Sequence, residues 1–403
     1  MNLKIVNNAI GRLLQVLGLL MVVPLLVAFI YHETLNDKLN FVIPILVAGI
    51  LGTIMVKTGS EKGHIYTREA MFTTAFCWLL YSAIGAIPLL LTPTNYPTFI
   101  DAFFEMASGF TTCGASVAQD VEILPHSIIF WRSFSHLIGG MGILVFTLAI
   151  LPKANKESTN LMQAEVPGPT FGKITPKLSH TARVLYIIYL VMTAITAIFL
   201  LFGGINLFDS LIFAFGTAGT GGFANRGISV GYYNSRYIET VLGVAMFLFG
   251  VNFNLYYYAI FRSVKDSFKS EELKWYTIIV ALSTILIFIN ISGMYDDKFY
   301  AGVNSFFTVT SIITTTGYVS AHYGLKVSRI TMLCKSAINQ VKQTINPMRV
   351  TVNKLDGKKV DDEVENSVNK YLLVYLLIFV IFMLIVTLET NDLETSFTAV
   401  ATT

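Results

Sequence analysis

A short segment rich in threonine and glycine recurs along this chain, and its spacing limits the folds that the chain can adopt. The copies end on Gly114, Gly222 and Gly317, and each glycine lies 13 residues after an Asp or Asn. One such cluster would be an ordinary loop, but three copies with equal spacing indicate a repeated structural unit. A fourth copy begins at Asp392, and the printed sequence ends within it. The candidate site residues are Thr111, Thr112, Cys113 and Gly114; Gly219, Thr220, Gly221 and Gly222; Thr314, Thr315, Thr316 and Gly317; and Thr402 and Thr403.

A short apolar run separates each Asp or Asn from its Thr/Gly segment. Asp and Asn are favoured helix N-caps, so we expect Asp101, Asp209 and Asn304 to cap three short helices. A run of about ten residues gives about 15 Å of helix, half the thickness of a bilayer. Such a helix points its partly negative C-terminal end at the Thr/Gly segment. Because non-helical backbone inside a membrane is tolerated where it lines a cavity, we expect re-entrant loops whose carbonyl oxygens face a cation pathway.

The composition is that of a membrane protein. Hydrophobic residues make up 54% of the 403 residues and charged residues 13%, whereas a soluble domain has about 25% charged residues. The cysteines Cys77, Cys113 and Cys334 are widely spaced, so neither a disulfide framework nor a zinc site is expected. The first apolar stretch is long enough to span and lacks a cleavage site, so it is predicted as a membrane helix. Eight stretches can cross a bilayer or nearly so: 10–30, 41–56, 71–91, 127–151, 183–201, 237–261, 275–291 and 371–388.

These patterns predict an all-α membrane protein built from repeated helix–pore-loop–helix units around a pseudo-fourfold pore, with an extra N-terminal helix hairpin. The region 326–369 is basic and hydrophilic, and it replaces the return helix that a third unit would need. The predicted domains are the hairpin 1–69, the first repeat 70–152, the second repeat 153–262, the third repeat without its return helix 263–325, the basic cytoplasmic segment 326–369, and the truncated fourth repeat 370–403.

The distribution of charge predicts the orientation. Lys and Arg precede the first helix, follow the hairpin and follow both complete repeats, whereas the segment 92–127 has none. By the positive-inside rule, the basic loops are cytoplasmic and the Thr/Gly loops open outward. Acidic residues near the mouth could concentrate cations or could simply solvate an outer loop. These residues are Asp101, Glu105, Asp120 and Glu122.

Some polar residues and glycines fall inside the predicted spans. The sequence 139–142 is Gly-Gly-Met-Gly, and we interpret it as a mid-helix site of close helix packing. Arg132 and His136 precede it, and snorkelling to the membrane interface is the expected behaviour of both. Asn252 and Asn254 interrupt the span 237–261. For these two residues we expect hydrogen bonds between helices.

Three stretches carry a resemblance to a known family. They are the segment 103–115, the helix that runs from Trp131 into Gly-Gly-Met-Gly at 139–142, and the third Thr/Gly copy, which is nearest to the TVGYG pattern. The chain resembles the Trk/Ktr/HKT superfamily of potassium transporters, and the TrkH-type membrane subunits most closely. The hairpin 1–69 is similar to the additional N-terminal domain of TrkH proteins.

The resemblance implies a single-file pore in each subunit of a homodimer in the bacterial inner membrane, with a cytoplasmic, TrkA-like nucleotide-binding regulatory subunit. Membrane lipid is an expected partner, and neither a covalently bound cofactor nor a nucleic-acid partner is expected. The resemblance also implies that the filter glycines are Gly114, Gly222 and Gly317. Glycine in the first copy favours potassium over sodium. The transported K⁺ ion would contact Thr112, Cys113, Thr220, Gly221, Thr315 and Thr316.

Two departures from the family pattern affect the expected activity. The third return helix, with the glycine-rich loop that acts as the family's gate, is absent, and so is the fourth return helix, which in relatives carries a pore-facing arginine. A ring of carbonyl oxygens needs all four segments. We therefore expect the 403-residue chain as printed not to conduct selectively.

Two other function classes are open at this point. A secondary transporter of sodium or of a small solute also contains internal repeats, but its repeats are often inverted, whereas these run in the same sense. An enzyme is not predicted. The segment 216–223 superficially resembles a phosphate loop, but Gly222 stands where a Walker A motif needs Lys, and no HExxH motif occurs.

Overall fold

The computed structural model describes residues 3–60, 67–92, 95–140, 142, 178–261 and 270–320, together with 354–355, 358–359 and 383. Several predictions lie wholly or partly outside these residues. They are the end of the fourth Thr/Gly copy, Thr402 and Thr403, the span 371–388 apart from position 383, most of the basic segment 326–369, and the part of the span 127–151 after position 140 apart from position 142.

The N-terminal region consists of α1 (Leu3–Leu20), α2 (Val22–Ile30) and α3 (Leu35–Thr58). Thr34 precedes α3 and accepts a hydrogen bond from the backbone N–H of Asp37, while the Asp37 carboxylate accepts one from the N–H of Thr34. This reciprocal capping box satisfies two free N–H groups and fixes the start of the second arm.

The three repeats follow in the same order. The first contains α4 (Thr67–Gly85), α5 (Ile87–Leu90), the short helix α6 (Phe99–Phe110) and the return helix α7 (His126–Gly140). The second contains α8 (Leu178–Phe202), the short helix α9 (Leu207–Ala218), the return helix α10 (Arg236–Phe249) and α11 (Phe253–Phe261). The third contains α12 (Glu271–Ile291) and the short helix α13 (Lys298–Ile313).

Within the described residues, five segments are long and apolar enough to cross a membrane, and up to six if α10 and α11 form one span. The predicted spans 10–30, 41–56, 71–91, 183–201 and 275–291 are confirmed as apolar helices. The predicted continuous span 237–261 is wrong, because α10 and α11 meet at an angle of 85°. The five segments are Leu3–Ile30, Leu35–Thr58, Met71–Leu90, Arg183–Phe202 and Glu271–Ile291.

Successive repeats pack in the same way. The return helix α7 lies against the short helix α9 of the second repeat, and α10 lies against the short helix α13 of the third. Each return helix therefore supports the short helix of the next repeat rather than only its own.

The chain divides into two compact units, of which the first carries α1 to α13 apart from the first turn of α12. In the second unit, the described residues form the antiparallel strands β1 (Lys354–Leu355) and β2 (Lys358–Lys359).

The two arms of the N-terminal hairpin touch through glycine. A Cβ atom built on Gly11 would lie 2.7 Å from the carbonyl oxygen of Gly52, and one built on Gly52 would lie 2.7 Å from that of Gly11. Such mutual contact between backbones maximises dispersion attraction where lipid provides no hydrophobic driving force.

The hairpin is also joined to the first repeat. Glu33, in the turn after α2, accepts hydrogen bonds from the backbone N–H of Ser127 at 2.9 Å and from its hydroxyl. Tyr31 stacks on His126 with ring centroids 4.1 Å apart, and the Tyr81 hydroxyl donates to the carbonyl of Leu13 at 2.7 Å. Because Glu33 satisfies an N–H of the first turn of α7, the hairpin fixes where this return helix begins.

Replacing Gly52 by Ala is expected to lower the melting temperature, because overpacking a close contact costs about 1–3 kcal/mol. Gly49 on the same helix is the matched control, since no described atom lies within 4 Å of its added Cβ. Gly49→Ala should leave the protein as stable or stabilise it slightly, because Ala is a better helix former. Thermal unfolding in detergent measures the melting temperatures of both variants. Equal changes in melting temperature would contradict the contact between Gly11 and Gly52.

Candidate functional site

Each Thr/Gly segment starts where a short helix ends. The C-cap residues of α6, α9 and α13 are Thr111, Gly219 and Thr314. The three loops that follow are loop 1 (111–115), loop 2 (219–223) and loop 3 (314–318), and they align residue for residue. The predicted site residues of the first three copies therefore occupy equivalent structural positions.

The loops share an unusual backbone conformation. The second residue of each loop has a positive φ, with values of 58° at Thr112, 54° at Thr220 and 59° at Thr315. Two residues later the glycines have φ values of 77° at Gly114 and Gly222 and 78° at Gly317. A β-branched residue is strained in the left-handed region, where glycine is not. Three strained threonines in register indicate a conformation that is kept for function.

The helix ends explain how this conformation is held. In loop 1 the N–H of Thr112 donates to the carbonyl of Gly109 at 3.2 Å, and that of Cys113 donates to Ser108 at 2.9 Å. Loop 2 repeats the pattern, with Thr220 bonded to Thr217 and Gly221 to Gly216. This is a Schellman motif, in which a left-handed residue reverses the chain and satisfies the last helical carbonyls.

Loop 3 is a variant of the same turn. Thr315 donates to Ile312 at 3.1 Å, but it is Gly317 that bonds the carbonyl of Ser311, also at 3.1 Å. The hydroxyl of Ser311 donates to the carbonyl of Tyr318 at 2.8 Å, and the Thr314 and Thr316 hydroxyls lie 2.8 Å apart. Side-chain hydroxyls thus take over part of the backbone bonding in this loop.

Successive loops touch at equivalent positions. A Cβ atom built on Gly114 would overlap the carbonyl oxygen of Gly221, and one built on Gly222 would overlap that of Thr316. The glycines of loops 1 and 2 therefore face the carbonyl of the third residue in the next loop. This regular contact brings the candidate residues of loops 1, 2 and 3 together.

The predicted N-caps are wrong by at least three residues. The caps are Thr98 for α6 and Asn206 for α9, which accept hydrogen bonds from the N–H groups of Asp101 at 3.2 Å and Asp209 at 2.7 Å. Asp101 completes a capping box from the third helical position, because a capping oxygen must come from the residue before the helix. Asn304 lies inside α13, which has 16 residues and is capped by Asp297.

The cap of α13 is exposed and charged. Desolvation raises the pKa of the Asp297 carboxyl, but hydrogen bonds from the N–H groups of Phe299 and Tyr300 and the nearby Arg236 together lower it more. The net shift is downward, so this cap carries its negative charge at the N-terminus of α13 throughout the neutral range.

The residues predicted as caps have another role in repeats 2 and 3. The Asp209 carboxylate accepts hydrogen bonds from Asn225 and from the hydroxyl of Tyr233. Asn304 donates to the hydroxyl of Ser320 at 2.8 Å. In both repeats the partner lies 16 residues downstream, in the segment after the loop. The sequence contains this second spacing, which could have been found together with the first.

Glu105 and Arg132 form a buried ion pair, so the predictions that Arg132 snorkels and that Glu105 lies at an acidic mouth are wrong. The Arg132 Nη2 atom lies 2.6 Å from Glu105 Oε1, and both side chains are at most 2% exposed. Glu105 also accepts hydrogen bonds from the hydroxyl of Ser116 and the N–H of Val117, both at 2.9 Å. The pair joins α6, α7 and the segment after loop 1, because a buried charge needs a partner.

The other residues predicted to snorkel or to line the mouth lie as follows. His136 is buried, and its ring stacks on Phe223, so the prediction that it reaches the interface is also wrong. Glu122 forms an exposed bridge to Arg226 at 3.3 Å between the outer segments of repeats 1 and 2. The backbone of Asp120 bonds Asn95.

The Gly-Gly-Met-Gly sequence is not in the middle of a helix, because α7 ends at Gly140 and Gly142 has a φ of 76°. The predicted packing role is nevertheless correct for the first two glycines. A Cβ atom on Gly139 would overlap the carbonyl oxygen of Phe110, and one on Gly140 would lie 2.6 Å from the Cα of Gly219.

The return helix α10 likewise ends at loop 3, and its C-cap residue Gly250 lies beside Thr314. The Asn252 side chain accepts a hydrogen bond from the N–H of Asn254 at 3.0 Å. This bond caps the start of α11, because an Asn beside a helix break can bond free N–H groups. Hydrogen bonds from Asn252 and Asn254 to other helices stay a prediction.

Two tyrosines mark these helix ends. The Tyr189 hydroxyl donates to the carbonyl of Leu137, three residues before Gly140, at 3.1 Å. The Tyr276 hydroxyl donates to the carbonyl of Phe247, three residues before Gly250, also at 3.1 Å. Carbonyls at the end of a helix lack intrahelical partners, so these hydroxyls stabilise each break directly beside a loop.

The fold and the loops define an all-α integral membrane protein made of repeated helix–loop–helix units, as predicted. Residues 37–292 match the family model TrkH, described as cation transport protein. The Trk system potassium uptake protein TrkH of Salmonella typhimurium (strain LT2) is 30% identical over 91% of this chain and 82% of its own length. TrkG of Escherichia coli (strain K12), also a Trk system potassium uptake protein, is 30% identical over 99% of this chain and 88% of its own.

The crystal structure of the potassium transporter TrkH from Vibrio parahaemolyticus superposes with a TM-score of 0.82 at 27% identity, over 100% of this chain and 89% of that one. The chain therefore belongs to the TrkH family of cation transport proteins, and the resemblance in the sequence analysis is confirmed. The alignment with TrkG spans 432 positions, more than the 403 residues here, so TrkG contains stretches without a counterpart in this chain.

Removing one partner of the buried ion pair is expected to be costly. Glu105→Ala should destabilise the protein by about 3–5 kcal/mol, because the Arg132 charge stays buried without a counterion. The matched control is Glu122→Ala in the exposed bridge, where a loss of about 0–1 kcal/mol is expected. Chemical or thermal unfolding in detergent gives the difference. Similar losses for both variants would show that Arg132 finds another way to be solvated.

Proposed function

We propose that this protein takes up potassium across the membrane through a filter of backbone carbonyl oxygens from its Thr/Gly loops. The observation that carries the proposal is the repeated pair of left-handed residues in loops 1, 2 and 3, with the glycine of one loop seated against a carbonyl of the next. The family and the names of the relatives support potassium as the ion.

The physical basis is replacement of the hydration shell. A potassium ion that enters a narrow pathway must exchange its water oxygens for protein oxygens, and carbonyls at fixed positions supply them. The carbonyls of the proposed filter belong to the first three residues of each loop, which begin at Thr111, Gly219 and Thr314. Thr402 and Thr403 would contribute from the fourth copy.

The short helices add an electrostatic contribution. Each of α6, α9 and α13 ends at its loop, so the partly negative C-terminal end of the helix lies beside the proposed ion positions. The negative end of a helix dipole favours a cation, and the low dielectric of the membrane strengthens the effect. No carboxylate is needed within the proposed filter.

We also propose the orientation, compartment and partners that the sequence predicts. The loops would open to the outside of a bacterial inner membrane, and the basic region that contains Lys354 would lie on the cytoplasmic side. A second copy of the chain and a nucleotide-binding regulatory subunit of the TrkA type are the proposed protein partners. The name Trk system, which the relatives carry, supports an assembly with several components.

Gly114→Ser tests the filter, in a version of the chain whose fourth copy is complete. A Cβ atom at position 114 overlaps the Gly221 oxygen at a φ of 77°, so the substitution displaces the backbone where loops 1 and 2 meet. The ratio of potassium to sodium uptake should fall by about tenfold, equivalent to about 1.4 kcal/mol. The control is Gly204→Ser, because Gly204 has a φ of 84° and no described atom within 4 Å of its added Cβ.

Uptake of ⁸⁶Rb⁺ and ²²Na⁺ by cells that lack other potassium transporters measures the ratio. Gly204→Ser shares the backbone strain but should keep the parental selectivity. A Gly114→Ser variant that discriminates as well as the parent would exclude Gly114 from the filter. Preference of the parent for sodium or for a small solute would support the alternative class of transporter.

The orientation is tested with Lys354→Cys and Ile123→Cys. An impermeant maleimide applied to intact cells should label Ile123→Cys, whose native side chain is exposed in the predicted outer segment. It should label Lys354→Cys only after the cells are permeabilised. The parent, with its native cysteines, gives the background. Labelling of Lys354→Cys in intact cells would reverse the proposed topology.

A further inference from the structure

Loop 2 differs from loops 1 and 3 at its third residue. This residue is Cys113 in loop 1 and Thr316 in loop 3, but Gly221 in loop 2. Gly222, the next residue, needs to be glycine because its φ is 77°, whereas Gly221 does not have a positive φ. Backbone conformation therefore does not explain why residue 221 is glycine. The explanation lies in the atoms that surround it.

The imidazole of His136 occupies that space. A Cβ atom built on Gly221 would lie 2.5 Å from three atoms of the ring, Cγ, Cδ2 and Cε1. Three equal distances place the face of the ring on the Cα atom of Gly221. The side chain that loops 1 and 3 carry at this position is thus replaced by a ring from the return helix α7.

His136 is fixed on its other sides as well. Its ring is fully buried and stacks on Phe223 with centroids 4.3 Å apart, and the Arg132 guanidinium lies 4.4 Å from the centroid of the same Phe223 ring. A Cβ atom on Gly219 would overlap the carbonyl oxygen of His136. The helix α7 thus contacts the first, third and fifth residues of loop 2.

Gly221, on which the His136 ring packs, also contacts loop 1. The carbonyl oxygen of Gly221 is the atom that a Cβ on Gly114 would overlap. Gly221 is therefore held between the His136 ring and Gly114, and a shift of the ring would shift the backbone at the junction of the two loops. Close-packed groups transmit such displacements, because few voids are available to absorb them.

We propose that His136 is a positioning residue that sets the Gly221 carbonyl, and with it the discrimination between potassium and sodium at the junction of loops 1 and 2. The inference rests on the proposed function. The shape of the ring carries the effect, because both ring nitrogens are buried without a hydrogen-bond partner among the described residues. A phenyl ring, which has similar size and flatness, would serve in its place.

The experiment compares His136→Ala, His136→Phe and Ile128→Ala, again in a version of the chain with a complete fourth copy. Ile128 is buried on the same helix, eight residues away, or about 12 Å along the axis. Uptake of ⁸⁶Rb⁺ and ²²Na⁺ gives the selectivity ratio, and thermal unfolding gives the stability. His136→Ala should lower the ratio by about tenfold, whereas His136→Phe should keep it. Ile128→Ala should lose stability but not selectivity.

A double-mutant cycle tests the packing without reference to transport. Gly221→Ala should destabilise the parent strongly, and it should be much better tolerated in the His136→Ala background, where the ring is gone. Equal effects of Gly221→Ala in both backgrounds would contradict the contact.

The remaining outcomes separate the two proposals. A folded His136→Ala variant with parental selectivity would overturn the positioning role, and so would His136→Phe if it discriminates as poorly as His136→Ala. A parent that does not prefer potassium would instead contradict the proposed function, and the selectivity role of His136 with it.

Discussion

Neighbouring Thr/Gly loops approach one another backbone to backbone, and the helices of each repeat are arranged around this contact. Backbone carbonyls inside a membrane must be bonded or must line a cavity. The glycines at 114 and 222 allow each loop to approach the next until the Cα of one meets the carbonyl oxygen of the other. Larger residues at these positions would separate the loops, and the carbonyl groups would lose their common arrangement.

The surrounding helices hold the loops in this arrangement by different means in each repeat. In repeat 1 a buried ion pair anchors the segment after the loop, whereas repeats 2 and 3 use Asp209 with Asn225 and Asn304 with Ser320. The return helix α7 ends at Gly140 and α10 is capped by Gly250, each against the loop of the next repeat, and a tyrosine hydroxyl bonds a helical carbonyl at each end. The three loops therefore share one backbone conformation, although different side-chain interactions hold it in each repeat.

The sequence predicts the parts of this arrangement that depend on local backbone rules. The glycine spacing identified three loops, and the apolar runs identified the helices before them, because glycine and hydrophobic periodicity act over a few residues. The sequence does not place the caps, because Thr98 and Asn206 lie three residues before the acids Asp101 and Asp209, which are equally good capping residues. Only the position of the helix start decides between the two candidates.

The contacts between repeats could not be predicted in this way. Arg132 and His136 were expected at the interface because a single sequence does not reveal which face of a membrane helix meets protein and which meets lipid. Their partners Glu105 and Phe223 lie 27 and 87 residues away. The sequence does contain a glycine at 221, where the other two loops carry Cys113 and Thr316, but only the fold shows that the His136 ring fills this space.

Anomalous diffraction tests the proposal that carbonyl oxygens of the three described loops bind potassium. Crystals of a version with a complete fourth copy, grown in rubidium, should show anomalous peaks between the loops at the level of Thr112, Thr220 and Thr315. Exchange into sodium should remove these peaks. Peaks found only beside exposed carboxylates such as Glu122, or no peak between the loops, would contradict the account.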